Sequence, residues 1–284
     1  MRTLIVGMGE VGNALKEIHS KKYEVYCKDF AEADTPEGVE MLHVCLNYHA
    51  LGHERFMGVV KEYADKYKPK FVDICSTVPP GTTRLFGPGA VHSTTRGLHP
   101  NLAEGLLNVP KHIGGGAAKI VARYFQRAGI RCITHRKSET TELAHILNNA
   151  AYGVSLMFAD EMAKLCREYG VDYYEAVMRY TATHNAGFRD LDHDRLVRPI
   201  LTPPYGCIGG HCLVQGASLI PLEKRGPLLR RLSTYNEAPK SWVNSIAGNI
   251  IVAKKEKLGV QGELFEEKKL PVHDLPEEQK HSQT

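Results

Sequence analysis

The sequence lacks any apolar run approaching about 18 residues, the length at which a helix becomes a candidate to cross a membrane. It also leaves no room for a signal peptide, because an apolar stretch that we interpret as a buried strand begins within the first few residues. Its seven cysteines are scattered, with no repeated Cys-x-x-Cys motif, which favours a reducing compartment over a disulfide framework. We therefore expect a cytosolic protein with no membrane partner.

The sequence has little excess of either charge. The formal net charge is +4, and no Lys/Arg run is long enough to indicate nucleic-acid binding. No internal repeat is visible, and 284 residues are enough for one large domain or two ordinary ones. These properties leave a globular protein that acts on a small-molecule substrate as the expectation.

A glycine-rich turn follows the first apolar run. Residues 3–6 show no polar alternation, which is typical of a strand buried on both faces of a parallel sheet. The spacing Gly-x-Gly-x-x-Gly comes next, before a helical pattern at 13–20. Such glycines let the diphosphate of a dinucleotide approach the start of a helix. We predict that the cofactor contacts Gly7, Gly9, Glu10, Val11 and Gly12.

A second apolar run ends at Asp29, about 20 residues after the turn, where a ribose-binding carboxylate is expected. A carboxylate there accepts hydrogen bonds from the ribose 2′-hydroxyl and repels a 2′-phosphate, so the sequence favours NAD over NADP. Lys28 beside it weakens that argument slightly. A surface carboxylate with no ligand is the alternative for Asp29.

Apolar runs and helical stretches alternate up to residue 137. That order is typical of a doubly wound parallel sheet with right-handed crossovers. We predict strands at 3–6, 23–27, 41–46, 71–75, 90–93, 111–114 and 131–134, and helices at 13–20, 54–67 and 117–128.

The turn STVPPGTT occupies residues 76–83, directly after a predicted strand. Sheets of this kind bind ligands at the carboxyl ends of their strands, so we predict that Thr77 presents its hydroxyl to cofactor or substrate. A helix-capping hydroxyl is an equally good interpretation of Thr77 from sequence alone.

One long helix is predicted from Ser138 to Tyr169, with Ser138 as its N-cap. It is apolar on most of its circumference, which indicates burial among neighbours, and we interpret it as a central helix that joins two halves. Glu142, His145 and Asn149 share one face and could project into a cleft, but hydrogen-bonded polar groups of the core or an interface are the favoured interpretation.

Shorter helices are predicted beyond residue 170, at 172–183, 216–234 and 240–258. Between the first two, a glycine-rich turn brings Cys212 close to the start of a helix. A helix N-terminus lowers the pKa of a thiol and makes its thiolate nucleophilic. A charged, loosely ordered tail is expected at 259–284.

Three of these motifs together resemble the UDP-glucose/GDP-mannose dehydrogenase family. They are the turn at 7–12, the turn at 76–82 and the sequence GGHC at 209–212, and the central helix also matches at Glu142 and Asn149. The resemblance implies an α/β fold with a Rossmann-like NAD-binding domain at 1–137. It also implies a central helix with a smaller all-helical dimerisation and substrate domain at 138–258, and the tail at 259–284. A homodimer through the central helix is implied as well.

The resemblance also implies a mechanism of two successive hydride transfers to NAD. Cys212 would capture the intermediate aldehyde, Asn149 would hold an oxyanion or a water, and Thr77 would orient a catalytic water. The family's C-terminal nucleotide-sugar-binding domain is expected to be lacking.

Several positions depart from the family pattern. His145 stands where the family has a lysine, which replaces a cation by a group with an ordinary pKa near ~6.5. Gln215 and Gly216 replace a lysine and an aspartate that follow the nucleophile, and Ser-Thr-Thr at 93–95 replaces a Ser-Pro-Glu segment. Several losses together indicate changed chemistry.

Two other functions therefore stay open. One is a single hydride transfer of the hydroxyacid-dehydrogenase type with His145 as general base, with which the sequence His-Pro-Asn at 99–101 agrees weakly. The other is a dinucleotide-binding protein without turnover. Cys207, His211 and Cys212 do not match a standard zinc spacing, so no metal site is expected.

Overall fold

The computed structural model describes residues 1–29, 37–97, 100–204, 207–208 and 211–237, apart from the side chains of His211 and Cys212. Clustering of contacts groups Met1–Ala238 into one compact unit. The predicted helix at 240–258 and the tail at 259–284 lie outside the described residues. The predicted domain limits at 137/138 and 258/259 stay predictions.

A seven-stranded sheet forms the centre of the fold, in the order β2-β1-β3-β4-β5-β6-β7. Apolar, unalternating runs form its inner strands because both of their faces are covered by helices. The predicted α/β, Rossmann-like class is confirmed. The strands are β1 Arg2–Val6, β2 Glu24–Lys28, β3 Met41–Val44, β4 Phe71–Ile74, β5 Ala90–His92, β6 Lys111–Gly114 and β7 Cys132–His135.

One strand pairing differs from the fully parallel sheet that the sequence predicted. β5 and β6 pair antiparallel through His92 and Gly114, whereas the other pairings within the described sheet are parallel. Gly114, the last residue of β6, pairs with His92, the last residue of β5, so β6 approaches β5 from beyond its carboxyl end and runs opposite to it. A short apolar run carries no sign of this reversal.

Helices cover both faces of the sheet. One core joins the sheet to α1, α4 and α5, and a second joins the opposite face to α2, α3 and the first half of α6. The helices are α1 Glu10–His19, α2 Tyr48–Leu51, α3 His53–Tyr67, α4 Leu102–Asn108, α5 Ala118–Arg127, α6 Ser138–Glu168, α7 Tyr180–Asp190, α8 His211–Ser218 and α9 Pro227–Ser233.

Some helix predictions were wrong. The sequence did not reveal α2 and α4, which are short, and a π-helical turn at Tyr174–Arg179 leads into α7, so the helix predicted to end at residue 183 continues to Asp190. The single helix predicted at 216–234 is divided into α8, a 3₁₀ turn and α9, because Pro221 and Pro227 each remove a backbone donor.

The long central helix is confirmed as α6, whose 31 residues span roughly 46 Å. Its N-cap is Lys137 with an extended backbone, so Ser138 is the first helical residue and not the cap that the sequence predicted. Burial follows one side of α6, and large apolar side chains are exposed elsewhere on it: Leu143, Leu147, Tyr152, Phe158 and Leu165. Within the described ranges, no helix combines the length and apolarity needed to cross a membrane.

Candidate active site

The turn after β1 is shaped by close backbone contacts. Gly7 has a φ of +93°, and a Cβ there would lie 2.6 Å from the carbonyl oxygen of Cys45. A Cβ on Gly12 would lie 2.0 Å from the carbonyl oxygen of Gly7. Both distances are shorter than van der Waals contact with a backbone atom, so only glycine fits either position. The two glycines hold the start of α1 tightly against β1.

Gly9 faces open space instead. Among the described residues, no heavy atom lies within 4 Å of the position that a Cβ on Gly9 would take. Gly9 is the N-cap of α1 and has no side chain with which to cap the first N–H groups of the helix, among them those of Glu10 and Val11. An open helix N-terminus with free approach for a ligand is the environment that a diphosphate requires. The predicted residues therefore fit a dinucleotide.

A cleft of about 560 Å³ adjoins this turn, between α1 and the start of α4. Its lining includes Glu17 and Glu104, whose carboxylates repel a diphosphate. The part of the cleft near these two carboxylates is therefore a poor diphosphate site. The part lined by Gly9 is better placed, because β2 and β3 flank β1 and make this edge the switch point of the sheet.

Asp29 follows β2 directly and is exposed beside the turn, as the sequence predicted. Lys28 is buried, and its ammonium lies 5.8 Å from the centre of the Tyr67 ring. A lysine held over a buried ring is not available to attract a 2′-phosphate, so the objection that Lys28 raised to NAD becomes weaker. Asp29 is the exposed charge at this point, and the buried Lys28 keeps its positive charge close by, since both residues act on Tyr63.

Glu142 attaches the turn after β4 to the central helix. Its carboxylate is 1% exposed and accepts the backbone N–H groups of Gly81 at 2.6 Å and Thr83 at 2.8 Å. Glu142 is therefore a hydrogen-bonded core group, as the favoured interpretation of the sequence had it, because both of its oxygens accept backbone N–H groups. Thr77, at the start of this turn, is half-buried. The following 3₁₀ turn has Thr82 at its N-cap position, so Thr77 does not cap it.

His145 and Asn149 meet on one face of α6, as their spacing predicted. The amide nitrogen of Asn149 lies 3.1 Å from Nε2 of His145. Because an amide nitrogen only donates, Nε2 accepts and the imidazole is neutral. Burial, with smaller contributions from Arg96 and Lys111, lowers the pKa of His145 to about 4. The family's cationic lysine is therefore replaced by an uncharged group.

His92 joins three parts of the site and was not singled out from the sequence. Its Nδ1 lies 2.8 Å from the hydroxyl of Thr141 on α6, and its Nε2 lies 3.3 Å from the carbonyl oxygen of Ser76. Burial, with the nearby His145, lowers the pKa of His92 to about 3. A histidine at the end of a short strand gives no sequence signal of such contacts, which cross 16 and 49 residues of chain.

Cys212 belongs to the first turn of α8, as predicted for a thiol near a helix start. The segment before α8 is held by Asn236, which donates to the Ile208 carbonyl at 3.0 Å and accepts its N–H at 3.1 Å. Val214 and Ala217 of α8 belong to the same small core as Ala150 of α6. The Cys212 side chain, Gly209, Gly210 and His99 lie outside the described set, so the role of the thiol stays a prediction.

Known proteins resemble this chain. No family model matches it. A UDP-N-acetyl-D-mannosamine dehydrogenase from Pyrococcus horikoshii is 27% identical over 184 residues, which cover 59% of this chain and 40% of that protein. The solved structure of UDP-D-ManNAc dehydrogenase from the same organism covers 90% of this chain and 72% of its own, with a TM-score of 0.68 and 21% identity. The resemblance to the nucleotide-sugar dehydrogenases is confirmed.

The fold is also shared with smaller enzymes. A 3-hydroxyisobutyrate dehydrogenase from Mycobacterium tuberculosis covers 87% of this chain and 94% of its own, with a TM-score of 0.59 and 12% identity. At that identity the similarity is one of fold. The sequence match to the nucleotide-sugar dehydrogenase from Pyrococcus horikoshii spans less than half of that protein's length.

Proposed function

We propose that this chain is an NAD-dependent dehydrogenase that oxidises a CH–OH group of a polar substrate, such as a nucleotide sugar. The observation that carries the proposal is the open N-terminus of α1 at Gly9, set at the switch point of the sheet. The similarity to nucleotide-sugar dehydrogenases supports the substrate class. NAD would supply the hydride acceptor.

The cofactor would be held mainly by backbone. The N–H groups of Glu10 and Val11 at the start of α1 would receive the diphosphate, and the exposed Asp29 carboxylate would accept the ribose hydroxyls. Gly7 and Gly12 would bring that helix close enough to do so. This division of roles favours NAD over NADP because Asp29 repels a second phosphate.

His145 and Asn149 would handle the proton of the substrate hydroxyl. The neutral imidazole would take that proton at Nε2 while the hydride leaves the carbon, so that an alcohol becomes an aldehyde or ketone. Asn149 now donates to Nε2 at 3.1 Å. Rotation of its amide would present the oxygen instead, which accepts a hydrogen bond from the protonated ring. Thr77 would position a water or the substrate at the same edge.

A second oxidation would need Cys212. Its thiolate would add to the aldehyde carbon, the resulting thiohemiacetal would give a second hydride to NAD, and water would hydrolyse the thioester to a carboxylate. The position of Cys212 in the first turn of α8 supports this role, since a helix N-terminus stabilises a thiolate.

NADH formation with a panel of nucleotide sugars tests both steps. We expect two NADH per product from the wild type and loss of the second in Cys212→Ala, with Cys207→Ala as the matched control because Cys207 is an exposed thiol. No turnover with any alcohol, despite NAD binding, would overturn the proposal and favour a non-catalytic dinucleotide-binding protein.

The charge of His145 favours a second candidate, a dehydrogenase that stops after one hydride transfer. The lowered pKa of His145 removes the cation that the family places beside the oxyanion, and losing such a donor typically costs about 100- to 1000-fold in turnover. Alcohol oxidation with a neutral base does not need that cation. One NADH per product, unchanged in Cys212→Ala, would favour this candidate.

We also propose that the chain forms a homodimer through α6. Phe158 and Leu165 are 59% and 48% exposed on that helix, and large apolar side chains gathered on one element favour an interface. Sedimentation velocity tests this. Phe158→Glu is expected to shift the wild-type dimer to monomer, whereas Ile120→Glu, at an exposed apolar residue of α5, leaves it intact.

A further inference from the structure

A cluster of metal-binding residue types lies within the sheet, below the glycine turn. His43 of β3, Asp73 of β4 and Cys75 place one donor atom each within 4.8 Å of one another. His43 and Asp73 are fully buried and Cys75 is 5% exposed. Oδ2 of Asp73 lies 2.8 Å from Nδ1 of His43 and 3.2 Å from the Cys75 sulfur. The function proposed above uses none of these residues.

His43 and Asp73 each have a second polar atom, and that atom also has a hydrogen-bond partner. Nε2 of His43 lies 3.3 Å from the hydroxyl of Tyr124, which itself lies 2.9 Å from the Thr3 hydroxyl. Oδ1 of Asp73 accepts the Ser93 hydroxyl at 2.5 Å. Partners of this kind fix the ring orientation of a ligating histidine and the direction of a ligating carboxylate. With these partners in place, Nδ1 of His43 and Oδ2 of Asp73 face each other, and the Cys75 thiol also donates to Oδ2.

A second thiol adjoins the cluster. Cys45 and Cys75 each lie one residue beyond the register pair Val44 and Ile74, so their side chains follow adjacent parallel strands on the same face of the sheet. Cys45 is partly buried, and its carbonyl oxygen is the atom that a Cβ on Gly7 would strike. Two sulfurs therefore converge at the carboxyl ends of adjacent strands, directly below the turn.

The charges of the cluster also suit a cation. Lys111 is buried, at 2% exposure, and its positive charge acts on Asp73. Buried charges are costly unless they are compensated. A dication with both thiols as thiolates, together with Asp73 and Lys111, gives a neutral group. Without an ion, hydrogen bonding to Asp73 raises the pKa of His43 to about 9 against the effect of burial, so a metal has to displace a proton from that ring.

We propose that His43, Asp73 and Cys75 bind a divalent transition-metal ion of the zinc type, with Cys45 as the nearest further sulfur donor. A mixed nitrogen, oxygen and sulfur set is one that zinc accepts in tetrahedral geometry. Zinc bond lengths of about 2.0–2.3 Å place tetrahedral ligands roughly 3.3–3.7 Å apart. The donors therefore need to separate by about half an ångström when the metal replaces the protons between them.

The metal would brace β3 against β4 below the dinucleotide turn, as a structural ion. Its presence does not depend on the function proposed above. The competing arrangement keeps a proton between His43 and Asp73 and binds no ion. The two arrangements differ in a directly measurable property, which is whether the sulfur of Cys75 bonds to a metal.

Cobalt substitution of the full chain tests the proposal. After treatment with a chelator, the wild type is expected to take up one Co²⁺ per chain, with sulfur-to-cobalt charge-transfer absorption and the visible bands of a four-coordinate site. Cys75→Ser is expected to lose both signals. Cys166→Ser, a buried thiol on α6, is the matched control and is expected to keep them. Tyr124→Phe is expected to weaken binding about 10- to 100-fold.

Wild-type protein that shows only the spectrum of aqueous cobalt would overturn the proposal, whether or not the variants fold. Bands that persist in folded Cys75→Ser would overturn it as well, because they would come from other thiols. Zinc should raise the melting temperature of the wild type and not that of Cys75→Ser, since an ion that binds only the native state stabilises it. Circular dichroism confirms that each variant is folded.

Discussion

The glycine turn after β1 and the polar residues Glu142, His145 and Asn149 of α6 lie at the same carboxyl edge of the sheet, but different forces shape them. Backbone contact shapes the turn, because side chains at Gly7 and Gly12 would strike carbonyl oxygens. Hydrogen bonding and burial determine the state of the polar residues: Glu142 accepts two N–H groups of the turn after β4, and burial keeps His145 neutral.

The glycine turn and the polar face of α6 differ in which residues they can accept. A turn that only glycine can form accepts no other residue at Gly7 or Gly12 without a backbone shift. A side chain such as His145 can replace a lysine if the surrounding fold accepts it, and the chemistry then changes. The residues proposed to hold the cofactor therefore agree with the sequence pattern of the nucleotide-sugar dehydrogenases, whereas His145, proposed for the reaction, departs from it.

The largest effect is expected at Gly12. Gly12→Ala places a Cβ 2.0 Å from the Gly7 carbonyl, so we expect the free energy of unfolding to fall by roughly 3 kcal/mol or more, as in overpacked sites. Gly58→Ala is the control, because no described heavy atom lies within 4 Å of its Cβ position in α3. The control should gain up to about 1 kcal/mol. Equal urea midpoints for the two variants would contradict steric shaping of the turn.

The next largest effect is expected at Glu142, which connects the turn after β4 to α6. Glu142→Ala leaves the N–H groups of Gly81 and Thr83 without their acceptor, so we expect a stability loss of about 2 kcal/mol. Displacement of the Thr77 turn should lower kcat up to about 100-fold with little change in the dissociation constant of NAD.

Glu139→Ala is the matched control for Glu142→Ala. Glu139 is an exposed carboxylate on the same helix and pairs with exposed Arg84 at 3.4 Å, a contact that contributes less than about 1 kcal/mol. Unfolding by urea and steady-state kinetics measure both variants. If Glu139→Ala and Glu142→Ala behaved alike, Glu142 would have no part in positioning the turn.

The smallest effect concerns the charge of His145. Its pKa is about 4 in the folded chain and near the ordinary 6.5 when unfolded, so below pH 6.5 the unfolded chain binds a proton that the folded chain does not. Stability should therefore fall as pH falls, by roughly 1 kcal/mol from pH 6.5 to 5.5 for this group. Arg96, Lys111 and His92 surround it and favour the neutral ring.

His145→Gln should reduce that slope and leave the parts due to other histidines whose pKa burial lowers, chiefly His92 and His19. Urea unfolding at the two pH values measures the difference. In the wild type, kcat/KM should show no break near pH 6.5 from this residue, because the ring is already neutral there. Identical slopes in wild type and His145→Gln would show that His145 keeps an ordinary pKa.

The strands and the central helix were predictable because their signals are local. Unalternating apolar runs marked the strands within one or two residues, and α6 was marked by its apolar content and by Gly170, whose φ of +66° ends it. The division between α8 and α9 was missed because the apolar spacing continues through Pro221 and Pro227. Each of these prolines removes a backbone N–H donor, and that loss divides the helix although the apolar spacing continues.

Long-range contacts could not be predicted in the same way. Glu142 reaches backbone groups 59 and 61 residues earlier, and His43 meets Asp73 across 30 residues. Nothing in the spacing of these residues indicates that they meet. The sequence showed that Glu142, His145 and Asn149 share a face, but the structure was needed to separate the anchoring carboxylate from the imidazole–amide pair.

Calorimetric titration of the full chain with NAD tests the central claim most directly, with Gly9→Ala beside it. Gly9→Ala places its methyl group where a diphosphate would approach and touches no described atom within 4 Å, so its loss of stability should stay within the roughly 1 kcal/mol that alanine costs at an N-cap. We predict that the wild type binds NAD and that Gly9→Ala binds it at least about 10-fold more weakly, a difference of about 1.4 kcal/mol. A wild-type chain that does not bind NAD, or equal affinity in both proteins, would contradict the account.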